Sequence, residues 1–463
     1  FAQEATLTGT VTDSTGGVLP GVTITATQTA TGNTFVGVTD EKGGFRIPVR
    51  VGLLKVDAEL PGFGTVSRQV EMLVGQTATL NLQLSPSTVQ ESVTVTGEAP
   101  LVDTTSSSMA SNVDPRQMQE LPVNGRNWMD LTLLAPGSRS NAVSETPISS
   151  TGSNVPFQLN LDGQQVTNLV AVGFGQPRFS RDAIGEFEYV SNRFDASQGR
   201  SSGIQVNAIT KSGTNMATGS VGGYFRNSKW GAKDFIRNQI LPYSDQQVVG
   251  TFGGPIQKDK MHIFGHWEFE REPRTVAFST PWPAFNQNLL GTRTEHKSGA
   301  RFDSSLGGQR RLMVSTNYWR QLLPNRFDLN ASTDHPSSTT RELASMIRVG
   351  AQITQATQKT VNILAVGVFR QYDNETSYIG NDNIGKIQFN SGLSIGPGLT
   401  DAGRTPFRWN PTTYSLRDDF AFSFAAKGRH DIKTGGEYLF NKISDMSWCN
   451  YCRGWLDARG GPV

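Results

Sequence analysis

Apolar and polar positions alternate with period two along most of this chain. Leu7, Gly9 and Val11 alternate with Thr8, Thr10 and Thr12, and Val22, Ile24 and Ala26 with Thr23, Thr25 and Thr27. That period sends successive side chains to opposite faces of a strand. Phe45 and Ile47 follow the turn Asp40-Glu41-Lys42-Gly43-Gly44; Val56, Ala58 and Leu60 precede Pro61-Gly62; Leu80, Leu82 and Leu84 close the set. Short strands punctuated by Gly and Pro predict a small β-sandwich over residues 5–84.

Residues 87–212 change character, being rich in Ser, Asn, Gly and Gln with short apolar clusters. Asp114 reads as a helix N-cap with Pro115 at the first helical position, and the helix runs to Leu121. Asn127 to Leu134 predicts a second short helix, stopped by Pro136-Gly137. Phe157, Leu159 and Leu161 lead to the turn Asp162-Gly163, and Ile204, Val206 and Ala208 lead to Lys211-Ser212-Gly213. The segment reads as a compact α+β unit.

Longer alternating strands fill residues 213–463. Ile263, Gly265, Trp267 and Phe269 alternate with His262, Phe264, His266 and Glu268; Phe420, Phe422 and Phe424 with Asp419, Ala421 and Ser423; Ile432, Tyr438 and Phe440 share one face of another run. A soluble sandwich and a membrane barrel with a polar lumen both alternate in this way. Length separates them: several runs reach the roughly 9–11 residues that cross a bilayer at a tilt, where soluble strands average about 5–6. Eight to ten strands are expected here. That is too few for a complete 22-stranded plugged barrel, which needs about 220 residues of strand before any loop.

Composition narrows the function classes. Lys plus Arg is 42 and Asp plus Glu is 40, a net of +2, which argues against a general nucleic-acid binder. Five His and two Cys leave little material for a multi-ligand metal site, and no metal or other cofactor is expected. No apolar run approaches the roughly 18 residues of a transmembrane helix, a test blind to barrel strands. Phe1-Ala2-Gln3 resembles the tail of a secretory signal, and the ending Gly460-Gly461-Pro462-Val463 lacks a closing strand, so the sequence reads as the N-terminal part of a longer protein.

Glu91-Ser92-Val93-Thr94-Val95-Thr96-Gly97 lies between Pro86 and Pro100. Physically it is a short exposed strand whose free edge invites addition to another protein's sheet. A plain linker strand is the alternative.

Two resemblances enter at these residues. Gly9-Thr10-Val11-Thr12-Asp13, Gly17 to Val22, Thr39 to Phe45 and Pro61-Gly62-Phe63 resemble the carboxypeptidase regulatory-like domain, which implies a transthyretin-like, seven-stranded sandwich and no peptidase activity; Val51-Gly52-Leu53-Leu54 replaces the usual Pro-Gly-x-Tyr turn. Residues 91–97 resemble a TonB box. Leu121 to Asn127, Leu131 to Gly137, Phe187 to Asn192, Asn207 to Asn215 and Gly253 to Lys260 follow in the order found in TonB-dependent outer-membrane receptors of the Oar-like branch. That resemblance implies a mainly β protein in four parts: sandwich 1–86, TonB box and linker 87–100, an α+β plug 101–212, and the first part of a transmembrane β-barrel 213–463, 22-stranded when complete. It also implies a place in a Gram-negative outer membrane, with the N-terminal domain in the periplasm. The implied partners are TonB, membrane lipid and an unknown extracellular ligand imported as TonB remodels the plug. The competing expectation is an adhesion or assembly protein of the same architecture that transports nothing.

Weaker signals carry less. His262 and His266, four apart on a strand, stand too far apart to share an ion. Cys449-Asn450-Tyr451-Cys452 fits a redox pair, half a zinc knuckle, free thiols or a small loop disulfide; in an oxidising compartment the disulfide between Cys449 and Cys452 is the simplest. Glu186 and Glu188, flanking Phe187, read as a solvated strand face. Phe174 and Phe179 lie in a Gly-rich segment where burial against a barrel wall outweighs ligand contact. Without a nucleophile elbow or a phosphate-cradling loop, no enzyme is expected.

Overall fold

A computed structural model describes residues 4–87, 95–96, 109–135, 157–167, 178–191, 204–233, 240, 243–278, 280–324, 335–357, 359–377, 387–389, 394–396, 407–426, 429–447 and 456–458. Glu91 to Thr94, Gly97, Phe174, Cys449 and Cys452 lie outside them.

Eight strands open the chain: β1 (Glu4–Asp13), β2 (Thr23–Gln28), β3 (Thr34–Val38), β4 (Gly44–Arg50), β5 (Gly52–Glu59), β6 (Val66–Met72), β7 (Thr77–Thr79) and β8 (Leu82–Leu84). They form two sheets, β4-β1 with β7 and β8, and β3-β2-β5-β6. The alternation read from the sequence becomes alternate burial: Leu7, Ile24, Val56 and Leu84 are sealed in one core shared by both sheets. β7 and β8 both run parallel to β1. The Leu80 amide donates to the Thr8 carbonyl and the Asn81 side chain accepts from the Thr10 amide. The pair is thus one strand interrupted once, which brings eight pieces to seven strands. Asp40 accepts from the amides of Lys42 and Gly44 and closes the β3–β4 turn, where Gly43 takes φ +70°. Val95–Thr96 (β9) lies parallel to the edge of β6, with Arg68 opposite Val95 and Gln69 opposite Thr96.

The central unit is a five-stranded mixed sheet. Its strands are β10 (Met109–Val113), β11 (Phe157–Leu161), β12 (Gln164–Gln165), β13 (Ile184–Ser191) and β14 (Ile204–Thr210), in the order β10-β13-β14-β11-β12. Helix α1 (Pro115–Glu120) starts where the sequence places it: the Asp114 carboxylate accepts from the Gln117 amide, and the Gln117 side chain accepts from the Asp114 amide. The second helical segment, Trp128–Leu134, is a 3-10 helix capped by Asn127. It delivers Trp128, Met129 and Leu131 to the sheet, where the Trp128 ring sits 5.3 Å from that of Phe187.

A large antiparallel sheet follows: β15 (Thr218–Asn227), β16 (Ser244–Gln257), β17 (Met261–Ala277), β18 (Asn288–Gly307), β19 (Arg310–Leu323), β20 (Thr340–Ala356), β21 (Thr360–Ser377), β24 (Phe407–Trp409), β25 (Thr412–Ala425), β26 (Arg429–Lys442) and β27 (Asp445–Ser447). Three short pieces, β22 (Ile387–Phe389), β23 (Ser394–Ile395) and β28 (Leu456–Ala458), pair separately. Successive long strands pair with their sequence neighbours from β15 to β21, then β21 with β25 and β25 with β26.

The polarity of this sheet is reversed relative to a water-soluble one. Along β20, Ile347 and Val349 are 47 % and 44 % exposed, while Arg348 between them is 1 % exposed. Along β17, Trp267 is exposed and Glu268 is buried; Ile353, Leu364, Val366 and Leu416 continue the exposed apolar face. A contiguous face of this kind marks contact with something apolar. The same alternation therefore orients the strands with charge inward and hydrocarbon outward.

Candidate functional site

The buried, polar face of the large sheet packs against the central unit, and the contact between them holds two clusters of buried ion pairs. Its hub is Asp162, in the turn between β11 and β12, at φ +49°. The Asp162 carboxylate accepts from the Thr210 amide at 2.9 Å and from the Thr210 hydroxyl. Two wall arginines converge on it. Arg348 Nη1 stands 3.4 Å from Asp162 and also reaches Ser315 and Asn317, while its Nη2 donates to the Leu161 carbonyl at 2.8 Å. Arg301 Nη1 donates to the Thr210 carbonyl at 2.7 Å and lies 3.5 Å from Asp162; its Nε and Nη2 bind Asp303. All these groups are buried, so each charge is stabilised by its partner and removing one member strands the rest.

A second cluster lies on β17 and β18. Lys297 is within 2.7 Å of Glu268 and 3.3 Å of Glu270, and Arg293 bridges Glu270, Glu272 and Glu295. The central unit adds Arg178, 2.7 Å from Glu295, and the Ser180 hydroxyl, which donates to Glu268 at 2.5 Å. An apolar strip completes the contact. Trp319, Ala344, Met346 and Phe369 of the wall share one core with Met118, Trp128, Phe179 and Phe187. Phe179 is accordingly packed between sheet and wall.

The segment Leu121 to Asn127 is a bracket. Gly125 and Arg126 both take positive φ, at +63° and +55°. This turns the Gly125 carbonyl toward Gln247 of β16 and stacks the Arg126 guanidinium 3.6 Å over the Tyr224 ring of β15, with Asp182 2.6 Å away. Arg181 donates to the carbonyls of Met118 and Leu121 and closes the bracket from behind.

One expectation is corrected. Glu186 is not on a solvated face: it is 2 % exposed, and its Oε1 accepts from the Val74 amide of the N-terminal sandwich. Burial pushes its pKa up to about 8, against the pull of that amide; Glu71, Asp114 and Glu188 add to the rise. The covering residues lie 112 positions away, a distance no local pattern reports. His262 and His266 both face inward, and His262 Nε2 lies 2.9 Å from the Asn215 side-chain oxygen. Asp162, Arg301 and Arg348 escaped the sequence reading. For Arg348 the signal available was an arginine at the inward parity of its strand, between Met346 and Gln352.

Comparison with known proteins now bears on this architecture. Residues 6–85 match the model of the carboxypeptidase regulatory-like domain, and residues 209–291 match that of the outer membrane beta barrel domain. The chain is 29 % identical over 286 residues to the TonB-dependent transporter Oar of Myxococcus xanthus, an alignment covering 57 % of this chain and 26 % of that protein. It matches the TonB-dependent outer-membrane receptors, in their Oar-like form. Among solved structures, the outer membrane transporter YddB of Escherichia coli superimposes with a TM-score of 0.57 at 12 % identity, covering 72 % of this chain and 48 % of that one. A point mutant of the ferric enterobactin receptor of Pseudomonas aeruginosa superimposes at 0.54 and 11 %, covering 72 % and 49 %. These likenesses concern the fold. The chain spans about a quarter of its curated relative and about half of these structures. The matched barrel domain model is that of an outer-membrane barrel, and the curated relative is a TonB-dependent transporter.

Proposed function

We propose that this chain is the N-terminal part of a receptor that binds an extracellular ligand and imports it when TonB remodels the plug. The observation that carries the reading is the reversed polarity of the large sheet, with apolar side chains outside and ion-paired side chains packed against a mixed-sheet unit. A lipid-facing barrel wall around a plug accounts for both faces. In this reading residues 1–86 are the periplasmic sandwich, 87–100 the box and linker, 101–212 the plug, and 213–463 the first part of a barrel that closes with 22 strands. Asp162, Arg301 and Arg348 hold the plug in place between cycles. Charged hydrogen bonds suit that task, since they are strong when dry and weaken once water enters.

Residues 91–97 are the coupling strand. Val95 and Thr96 already lie extended at a sheet edge, the conformation that strand addition by TonB requires. The test needs no ligand. Full-length receptor in detergent is passed over immobilised TonB C-terminal domain. Retention of the native protein, lost on deletion of 91–97, is the expected result; equal retention of both, or of neither, rejects the coupling role. The disulfide between Cys449 and Cys452 remains part of the reading and is checked by thiol counting before and after reduction.

A further inference from the structure

The N-terminal sandwich is seated against the rest of the molecule at several separate points. Arg50 Nη2 lies 2.6 Å from Asp303 of β18. The Ala30 carbonyl accepts from the Asn215 amide, and the Asn215 side chain holds Asp259 in the β16–β17 turn. The Arg311 guanidinium stacks 4.6 Å over the Phe35 ring, and Arg46 lies 3.8 Å from Asp431 of β26. Against the central sheet, the Val74 amide donates to Glu186 and the Val74 carbonyl accepts from the Asn112 side chain. The wall contacts gather at the end where β16–β17 and β18–β19 are joined by tight turns, the periplasmic end by the rule for such barrels.

Asp303 is where these contacts meet the plug. It accepts from Arg50 on the sandwich and from Arg301, whose remaining nitrogen holds Thr210 and faces Asp162. A cavity of about 130 Å³, lined by Gln28, Arg50, Glu71, Glu186, Lys211 and Arg301, lies at this three-way junction. While Arg50 shares the charge of Asp303, Arg301 has capacity for the plug. When the sandwich leaves, Asp303 draws on Arg301 alone, and the cavity opens to water that screens the pairs beside it.

We propose that the sandwich is a removable periplasmic cap whose seating is coupled, through Arg50, Asp303 and Arg301, to the wall's grip on the plug. This rests on the receptor reading, and it makes release of the cap a step that loosens the plug. The test is hydrogen exchange on the full-length protein in lipid nanodiscs, read on peptides covering 157–167 and 204–212. Arg50→Ala should speed exchange there by about tenfold, the loss expected for a hydrogen bond between charged groups, with strands β20 and β21 unchanged. Arg50→Lys should restore most of the protection.

A cross-link tests the same idea in the opposite direction. A Cβ built on Gly32, at φ +72°, falls 3.2 Å from the Asp259 Cβ, just inside the roughly 3.5–4.5 Å of a disulfide, so a bridge needs a small local shift. With Cys449 and Cys452 replaced by Ser, the pair Gly32→Cys and Asp259→Cys, once oxidised, should return slow exchange to the Arg50→Ala protein. Unchanged exchange in Arg50→Ala overturns the proposal. So does full oxidation without restored protection. Retention on TonB is a separate assay, so loss of the receptor reading and loss of the cap are told apart.

Discussion

Arg348 of the sheet wall donates through Nη2 to the carbonyl of Leu161 in the central unit, 2.8 Å away, with both residues buried. The same guanidinium faces Asp162, the next residue along, so one wall side chain holds both a main-chain oxygen and a carboxylate of one turn. Asp162→Ala would leave Arg301 and Arg348 confronting each other without their shared anion. The expected cost is roughly 3–5 kcal/mol, as for other broken buried pairs. Urea titration of the full-length protein, followed by trypsin resistance of the central unit, should show a lower midpoint; an unshifted midpoint would show that the pair does not hold that unit.

Glu186 makes seating of the sandwich depend on pH. Its ordinary pKa is 4.5, and burial raises it to about 8. Groups facing it are Glu71, Asp114 and Glu188, with Arg50, Lys211 and Arg301 lining the adjoining cavity. An acid whose pKa is raised on burial takes up a proton when buried. The stabilisation is complete below its ordinary pKa and is lost as pH rises through the raised one. Protease release of the sandwich should therefore accelerate from about pH 5 to about pH 9, and Glu186→Gln should flatten the profile. A profile of equal slope in both proteins would assign the dependence to another group.

The capping box of α1 offers a smaller, local prediction. Asp114→Ala removes the acceptor for the Gln117 amide and should cost about 1 kcal/mol, read as a lowered denaturation midpoint of the plug. An unchanged midpoint would mean that the packing of Met118 alone holds the helix.

Period-two alternation was enough to place many of the strands, because burial on one face leaves a direct record in sequence. Leu7, Ile24 and Val56 are sealed as that pattern requires. Asp114-Pro115 announced α1 for a similarly local reason. Strands β3 and β6 were not recognised: Thr34–Val38 is short, and Val66–Met72 carries Ser, Arg, Gln and Glu among its apolar residues, so neither gives a clean period. Strand length had already pointed to apolar faces outward, but the partner of the inward charges was not legible: Arg348 alternates with Ile347 and Val349 whatever lies opposite it. Glu186 was misjudged because its neighbour Val74 comes from another part of the chain.

In the proposed reading the exposed apolar face of the large sheet lies against lipid. Val349, midway along β20 and 44 % exposed, tests it most directly. The measurement is the unfolding free energy of the full-length protein in phospholipid vesicles, with and without Val349→Arg. A lipid-facing site near mid-strand predicts a loss of roughly 2–4 kcal/mol. A change within about 0.5 kcal/mol, as at an ordinary water-exposed position, would contradict it.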